Sequence, residues 1–192
     1  MHPPFYLVDT MAATSRELCF LREVPDGTDD LSYRMAMGYR MGSDYPQDAR
    51  VAMSRDKPGF QLASVIGNTN AFLIVDAVMR ETIAGARLGE VEFLRLAIID
   101  HKRRVASADY CIVNPIGTVD CMDLEASTIE WFEDEIVEVE QHVFDRNKVV
   151  DAPDLFRVKQ TPRAYVMSKA LADRCQAAGA TNLVLTPVEF AG

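Results

Sequence analysis

Ala71-Phe72-Leu73-Ile74-Val75-Asp76-Ala77-Val78-Met79-Arg80 and Ala164-Tyr165-Val166-Met167-Ser168-Lys169-Ala170-Leu171-Ala172-Asp173 read as two copies of one pattern, 93 residues apart. Each copy opens on a short apolar run of strand length and passes into apolar residues at helical spacing. In the first copy Ala77, Val78, Met79 and Ile83 share a helical face. In the second, the Ser168 hydroxyl is placed to accept a free backbone N–H at the helix start. Val75 stands at the matching position of the first copy, where Asp76 is the substitute cap. The helix tails, Thr82-Ile83-Ala84-Gly85 and Cys175-Gln176-Ala177-Ala178-Gly179, both end on glycine, the residue that suits a helix terminus. Apolar strands follow at Val91–Ile98 and Leu183–Val188. Two strand–helix–strand units predict a duplicated α+β fold in which each helix packs on a mixed sheet.

Working outward, residues 61–99 form the first unit, with strands at Gln61–Ile66 and Glu90–Ile99. On the period-two reading Arg95 faces away from Leu94 and Leu96. His101-Lys102-Arg103-Arg104 is a basic turn, and a strand at Asp109–Val113 is broken by Pro115-Ile116-Gly117. Residues 155–190 form the second unit: strands Leu155–Lys159, Ala164–Met167 and Asn182–Val188, and a helix Lys169–Ala178. Residues 109–150 lie between the units. There Thr128–Phe132 and Ile136–Phe144 alternate as strands joined by Glu133-Asp134-Glu135, which predicts an acidic β-hairpin. Val137, Val139 and Val143 are expected on its core face, and Glu138, Glu140 and His142 on the face toward solvent or a partner. Residues 1–60 are a loop-rich N-terminal region with a strand at Phe5–Val8, candidate strands at Leu18–Val24 and Arg50–Met53, and many turn signals. At 192 residues the chain is expected to be a single α+β domain, 1–192.

The formal charge is −9, and it is not evenly spread. Residues 120–154 hold two basic and 12 acidic residues, a net of −10, so the rest of the chain is near neutral. Polyanion affinity rests on Lys and Arg neutralising phosphates, so neither nucleic acid nor an anionic membrane is an expected partner. The longest uncharged run, Pro58 to Val75, is broken by Gly59, Gln61, Gly67, Asn68 and Asn70 and does not read as a membrane span. Met1–Asp9 lacks the basic and apolar regions of a secretory signal. Cys19, Cys111, Cys121 and Cys175 show no C-x-x-C spacing and are expected as buried free thiols in a reducing, cytoplasmic setting.

His2, His101 and His142 are scattered, and no clustered His, Cys or carboxylate set has metal-ligand spacing, so no metal or cofactor is expected. The chain has no G-x-S-x-G elbow, no G-x-x-x-x-G-K loop and no G-x-G-x-x-G turn. Asp120 and Asp123 are the carboxylate pair a small hydrolase or transferase would use. The plainer role for both is to accept backbone N–H groups in a turn. No residue is assigned as catalytic. Trp131, the only tryptophan, has two roles open to it, core packing and an interface anchor. The residues best placed to meet a partner are Glu130, Trp131, Glu133, Asp134, Glu135, Glu138 and Glu140. A solvated face is the bland alternative for these acids. A basic protein is the partner they fit, since steering by opposite charge raises association rates by about 10–1000-fold.

Tyr110-Cys111-Ile112-Val113-Asn114-Pro115 followed by Asp120-Cys121-Met122-Asp123-Leu124-Glu125-Ala126-Ser127 resembles the core motif of the bacterial polymorphic-toxin immunity protein family eleven. Leu155-Phe156-Arg157-Val158-Lys159 resembles a strand of that family, and Val166-Met167-Ser168-Lys169-Ala170-Leu171 with Gly179 is similar to its strand–Ser–helix–Gly–strand ending. The resemblance covers roughly residues 60–190. It marks Asn114, Asp120, Asp123, Ser127, Phe156, Arg157, Ser168 and Gly179 as structural motif positions. It implies an intracellular antitoxin that binds and blocks a cognate toxin effector without catalysis or cofactor. It names neither the toxin nor the contact surface. The enzyme reading at Asp120 and Asp123 stays open at this point, as does a dimeric interaction module, a homodimer built on the exposed hairpin edge.

Overall fold

The structure is a computed structural model that describes residues 5–191; His2 lies outside the described residues. In chain order the strands and α-helices are β1 (Phe5–Val8), β2 (Phe20–Leu21), α1 (Ser32–Ala36), β3 (Arg50–Ala52), β4 (Val65–Asn68), β5 (Leu73–Val75), α2 (Ala77–Ala84), β6 (Val91–Ile99), β7 (Val105–Pro115), β8 (Thr128–Phe132), β9 (Glu135–Gln141), β10 (Val143–Phe144), β11 (Leu155–Arg157), β12 (Tyr165–Ser168), α3 (Lys169–Ala177), β13 (Leu185–Pro187) and β14 (Glu189–Phe190). The fold is α+β with mixed sheets.

The two copies of the sequence pattern build the same topology. One sheet has the order β2-β4-β5-β7-β6-β3, the other β11-β12-β1-β13. In the first, β5 and β6 are parallel and flank α2 in sequence, with β7 running antiparallel between them. In the second, β12 and β13 are parallel and flank α3, with β1 antiparallel between them. A further antiparallel strand, β4 or β11, pairs with the other edge of β5 or β12. The intervening strand follows its unit in one copy and comes from the chain's N-terminus in the other, so the second unit is a circular permutation of the first. Phe5–Val8 thus completes a sheet whose other strands are some 150 residues away in sequence.

The caps explain why the first copy lacks the serine. Asp76 Oδ1 accepts the Met79 N–H at 2.8 Å, and Ser168 Oγ accepts the Leu171 N–H at 3.2 Å. Ser168 is both the last residue of β12 and the cap, whereas the first copy divides those tasks between Val75 and Asp76. The helices therefore start at Ala77 and Lys169, one residue closer together than the strand alignment implies. At the other end of α3, Gly179 takes φ +83°. Its N–H reaches the Gln176 carbonyl while the Ala180 N–H reaches Cys175, which satisfies the last free carbonyls of the helix.

The alternation of each strand sorts residues into three packed layers. Val65, Leu73, Val75, Cys111 and Val113 from the larger sheet meet Val8, Leu155, Tyr165 and Met167 from the smaller one, together with Met79, Ile83, Leu171 and Cys175 of the helices. The opposite face of the larger sheet, with Leu21, Val51, Ile66, Ile74, Leu96 and Ile112, packs against Met35, Met41 and Met53 of the N-terminal region. That region is poor in strand and helix but is tightly packed. The outer face of the smaller sheet, with Phe5, Phe156 and Val166, is covered by Cys121, Met122, Phe144 and Val149. β3 docks parallel to β6 and β2 parallel to β4, so both candidate N-terminal strands exist in shortened form.

Candidate functional site

The segment after β7 is pinned before it reaches the surface. Asp123 Oδ1 accepts the backbone N–H groups of Glu125 and Ala126, both at 3.1 Å, closing a turn. Ser127 Oγ donates to the Asp123 carbonyl at 2.6 Å and accepts the Val143 N–H at 3.0 Å, so it ties the start of β8 to β10. Asp120 is engaged elsewhere, accepting from Lys159 Nζ and Gln160 Nε2, each at 3.0 Å. Those hydrogen bonds and the ammonium charges of Lys159 and Lys148 hold its carboxyl below the usual carboxylate range. The two aspartates thus have separate partners rather than one shared proton or substrate site, the arrangement expected of turn and ion-pair residues.

From this base β8 and β9 rise as a two-stranded sheet of their own. Ile129 pairs with Val139, and both pack on the cluster beneath the hairpin. Glu130 lies directly across from Glu138, a like-charged pair that opposes strand pairing. Trp131 pairs with Ile136 and Phe132 with Glu135, and Glu133 at the turn takes a positive φ of 54°. The register shifts twice, leaving Val137 and Glu140 as extra residues on β9. The first shift corrects the sequence expectation for the core face: Ile136 and Val139 turn inward, while Val137 is 59% exposed. A bulge moves a residue to the other face of the pleat, and simple alternation does not reveal it.

His142 is a second correction. It does not share the outer face with Glu138 and Glu140. It is half-buried, its Nε2 lies 3.0 Å from Thr161 Oγ1, and burial depresses its pKa below the ordinary histidine value. The hairpin also ends earlier than expected: β9 stops at Gln141, and Val143–Phe144 pairs instead with β14 in parallel. Gln141 Nε2 donates to Glu189 Oε2 at 2.9 Å, a further tie at the hairpin base.

The exposed part of the hairpin combines six carboxylates with aromatic surface. Glu130, Glu133, Asp134, Glu135, Glu138 and Glu140 are all exposed. Among the described residues none of them joins an ion pair or a side-chain hydrogen bond. Trp131 is 48% exposed and Phe132 68%. Core packing is therefore not the main fate of Trp131. Phe132 was not singled out in the sequence, where its signal was its place beside the acidic turn, and Val137 joins it on the exposed surface instead of the expected core face.

The remaining motif positions are structural. Arg157 is fully buried, and among the described residues its guanidinium has no carboxylate partner. Its Nη1 donates to the carbonyls of Ala36 and Pro162, its Nε to Pro115, and its Nη2 to the Met35 carbonyl, Asn114 Oδ1 and the Tyr165 hydroxyl. The guanidinium carbon also sits 4.1 Å from the Tyr165 ring centroid. Asn114 passes the contact on, donating to the Tyr39 carbonyl and to Glu92, whose carboxylate accepts the backbone N–H groups of Met41 and Gly42. Arg157 and Asn114 thereby join the N-terminal region to both sheets. Phe156 meets the Phe5 ring edge-on at 5.6 Å. All four cysteines are buried and free, and burial pushes the Cys19, Cys111 and Cys121 thiols up to about 12 and Cys175 to about 11. These are inert core thiols rather than nucleophiles.

No curated protein matches the chain at the level that marks a relative. One family profile matches residues 8–189, which takes in the N-terminal layer, both permuted units and the acidic hairpin. The resemblance read from residues 60–190 therefore extends almost to both ends, and the chain belongs to the immunity protein family (Imm11).

Proposed function

We propose that this chain is an antitoxin that neutralises a cognate toxin effector by direct contact, without catalysis, and that the contact is the exposed face of the β8–β9 hairpin. Membership of an immunity protein family supports the role. The observation that carries the surface is the set of six unpaired carboxylates around Trp131 and Phe132. A basic partner would relieve the Glu130–Glu138 repulsion and bury the two rings, uniting charge steering with an aromatic anchor. The site of action follows as the cytoplasm, where the toxin would otherwise act. Neither nucleic acid nor membrane is a partner in this reading; no helix among the described residues is long and apolar enough to cross a membrane. Residues 5–191 act as one folded unit in this reading, since β1 completes the C-terminal sheet.

The same face does not suit an isologous dimer. Two-fold pairing of β9 with β9 would set Glu135, Glu138 and Glu140 of one copy against those of the other. The test of the toxin reading is co-expression with the effector encoded beside this chain, which restores growth, and a binding assay on the purified pair. Reversing Glu133, Asp134 and Glu135 to lysine lowers the association rate by about tenfold or more and flattens its salt dependence. An unchanged rate moves the interface elsewhere, and neither rescue nor binding removes the antitoxin reading.

A further inference from the structure

The basic turn at residues 101–104 has a counterpart nearby. His101 Nε2 lies 3.2 Å from the Pro58 carbonyl, which joins this turn to the loop at 53–60. Between them is an open cleft of about 400 Å³ lined by Met53, Phe60, Lys102 and the Asp100–Arg104 ion pair. A second hollow of about 450 Å³, also reaching this loop, is lined by Leu18, Phe20, Arg16, Lys57 and Asp56, the last paired with Arg22. Arg16, Arg55, Lys102 and Arg103 are exposed, and none of them joins an ion pair among the described residues. Phe60 is 69% exposed and Val105 57%. A surface of unpaired cations around exposed apolar groups is the complement of the hairpin, where unpaired carboxylates surround Trp131, Phe132 and Val137.

The two surfaces of one molecule are held apart. The basic turn sits at the start of β7, whose 11 residues cover about 35 Å at the usual rise per residue, and the chain leaves for the hairpin from its far end. The hairpin is then rooted on the outer face of the other sheet. We propose that the cleft beside the 101–104 turn takes the acidic hairpin tip of a second copy of this chain, in a head-to-tail contact. Charge complementarity selects this occupant: Glu133 and Asp134 at the turn and Glu135 at the start of β9 meet Lys102 and its exposed neighbour Arg103, and the neighbouring aromatic rings cover Phe60. A heterologous contact of this kind repeats and builds short chains unless its rotation closes. It also masks the face assigned above to the toxin, so a basic toxin of higher affinity would dissolve these assemblies.

The experiment needs this chain alone, so its outcome is independent of the toxin reading. Sedimentation velocity is run on the wild type, on a cleft variant (K102Q/R103Q) and on a hairpin variant (E133Q/D134N/E135Q). At about 0.03 M salt the wild type shows a concentration-dependent rise in mass, at least tenfold weaker at about 0.5 M, where the Debye length is a few ångströms. Each variant alone is monomeric. Mixed in equal amounts they form a one-to-one dimer and nothing larger, because one supplies the only intact cleft and the other the only intact hairpin. A wild type that stays monomeric at low salt overturns the proposal. So does a mixture that fails to associate, or a variant that associates as the wild type does.

Discussion

Replacing Arg157 with methionine tests what holds the layers together. The side chain is fully buried and its five N–H bonds serve six acceptors on α1, β7, β12 and the 162 loop. Two terms oppose each other. Removing the cation relieves its desolvation, which is why exchanging a whole buried ion pair for apolar residues is often neutral. Here, however, four of the six acceptors are backbone carbonyls that remain after the change. Each buried group left unpaired costs about 1–3 kcal/mol, so three or four orphaned acceptors outweigh the relief. The expected net loss is about 3–5 kcal/mol, the range for breaking one side of a buried charged contact. For a chain of this length that lowers Tm by about 6–20 °C. Arg157→Lys restores the charge but not the planar fork and recovers only part of the loss. Urea unfolding of both variants is compared with Arg95→Met, an exposed site expected to change stability by less than about 0.5 kcal/mol. A loss below about 1 kcal/mol for Arg157→Met would refute the reasoning, because the carbonyls would then have found other partners.

Gly38→Ala attacks the same hub from the other side. Gly38 takes φ +75°, and an added Cβ would lie 2.7 Å from Arg157 Cδ and 2.9 Å from the Pro115 carbonyl; a loss of about 2 kcal/mol or more is expected in the same unfolding assay. Removing the two helix caps separately, Asp76→Ala and Ser168→Ala, costs about 1 kcal/mol each, read as shifts in the denaturation midpoint. His142 sets a pH dependence. Its pKa is lowered in the fold by burial, so the unfolded chain binds the proton first. Its stabilising contribution is complete above the unfolded value of about 6.5 and is lost as pH falls below it toward the lower folded value. His142→Gln removes that slope from stability measured between about pH 7 and pH 5, and an unchanged slope would assign it to other groups.

Much of this was legible locally. The caps at Asp76 and Ser168, the glycine stop at 179 and the exposed Arg95 each follow from a few neighbouring residues. The pairing of β1 with β12 and β13 was not, because nothing in Phe5–Val8 names a partner that far along the chain. The role of Arg157 escaped for a related reason. An arginine in a strand ordinarily points to solvent, and its burial here depends on four carbonyls from three separate segments. Within the hairpin the acidic positions were read correctly as exposed, while Val137 and His142 were misplaced. Two extra residues on β9 break the period on which their assignment rested, and Thr161, the partner of His142, lies in another part of the chain.

The hairpin also explains how the fold tolerates its own charge. A lone two-stranded sheet is marginal in water, and this one carries a cross-strand glutamate pair and six unpaired acids. Such repulsion would fray it if the strands were free at both ends. Instead the base is clamped by Ser127 on Val143, by Gln141 on Glu189, by His142 on Thr161 and by Ile129 and Val139 on the core. Stability is concentrated at the root, and the tip is left with surface that adds little to folding. Had selection acted on stability alone, a lysine opposite Glu130 or Glu138 would have gained up to about 1 kcal/mol at no steric cost. The absence of any basic residue from 128 to 141 is what the proposed contact with a cation-bearing partner requires and is not called for by the stability of the hairpin.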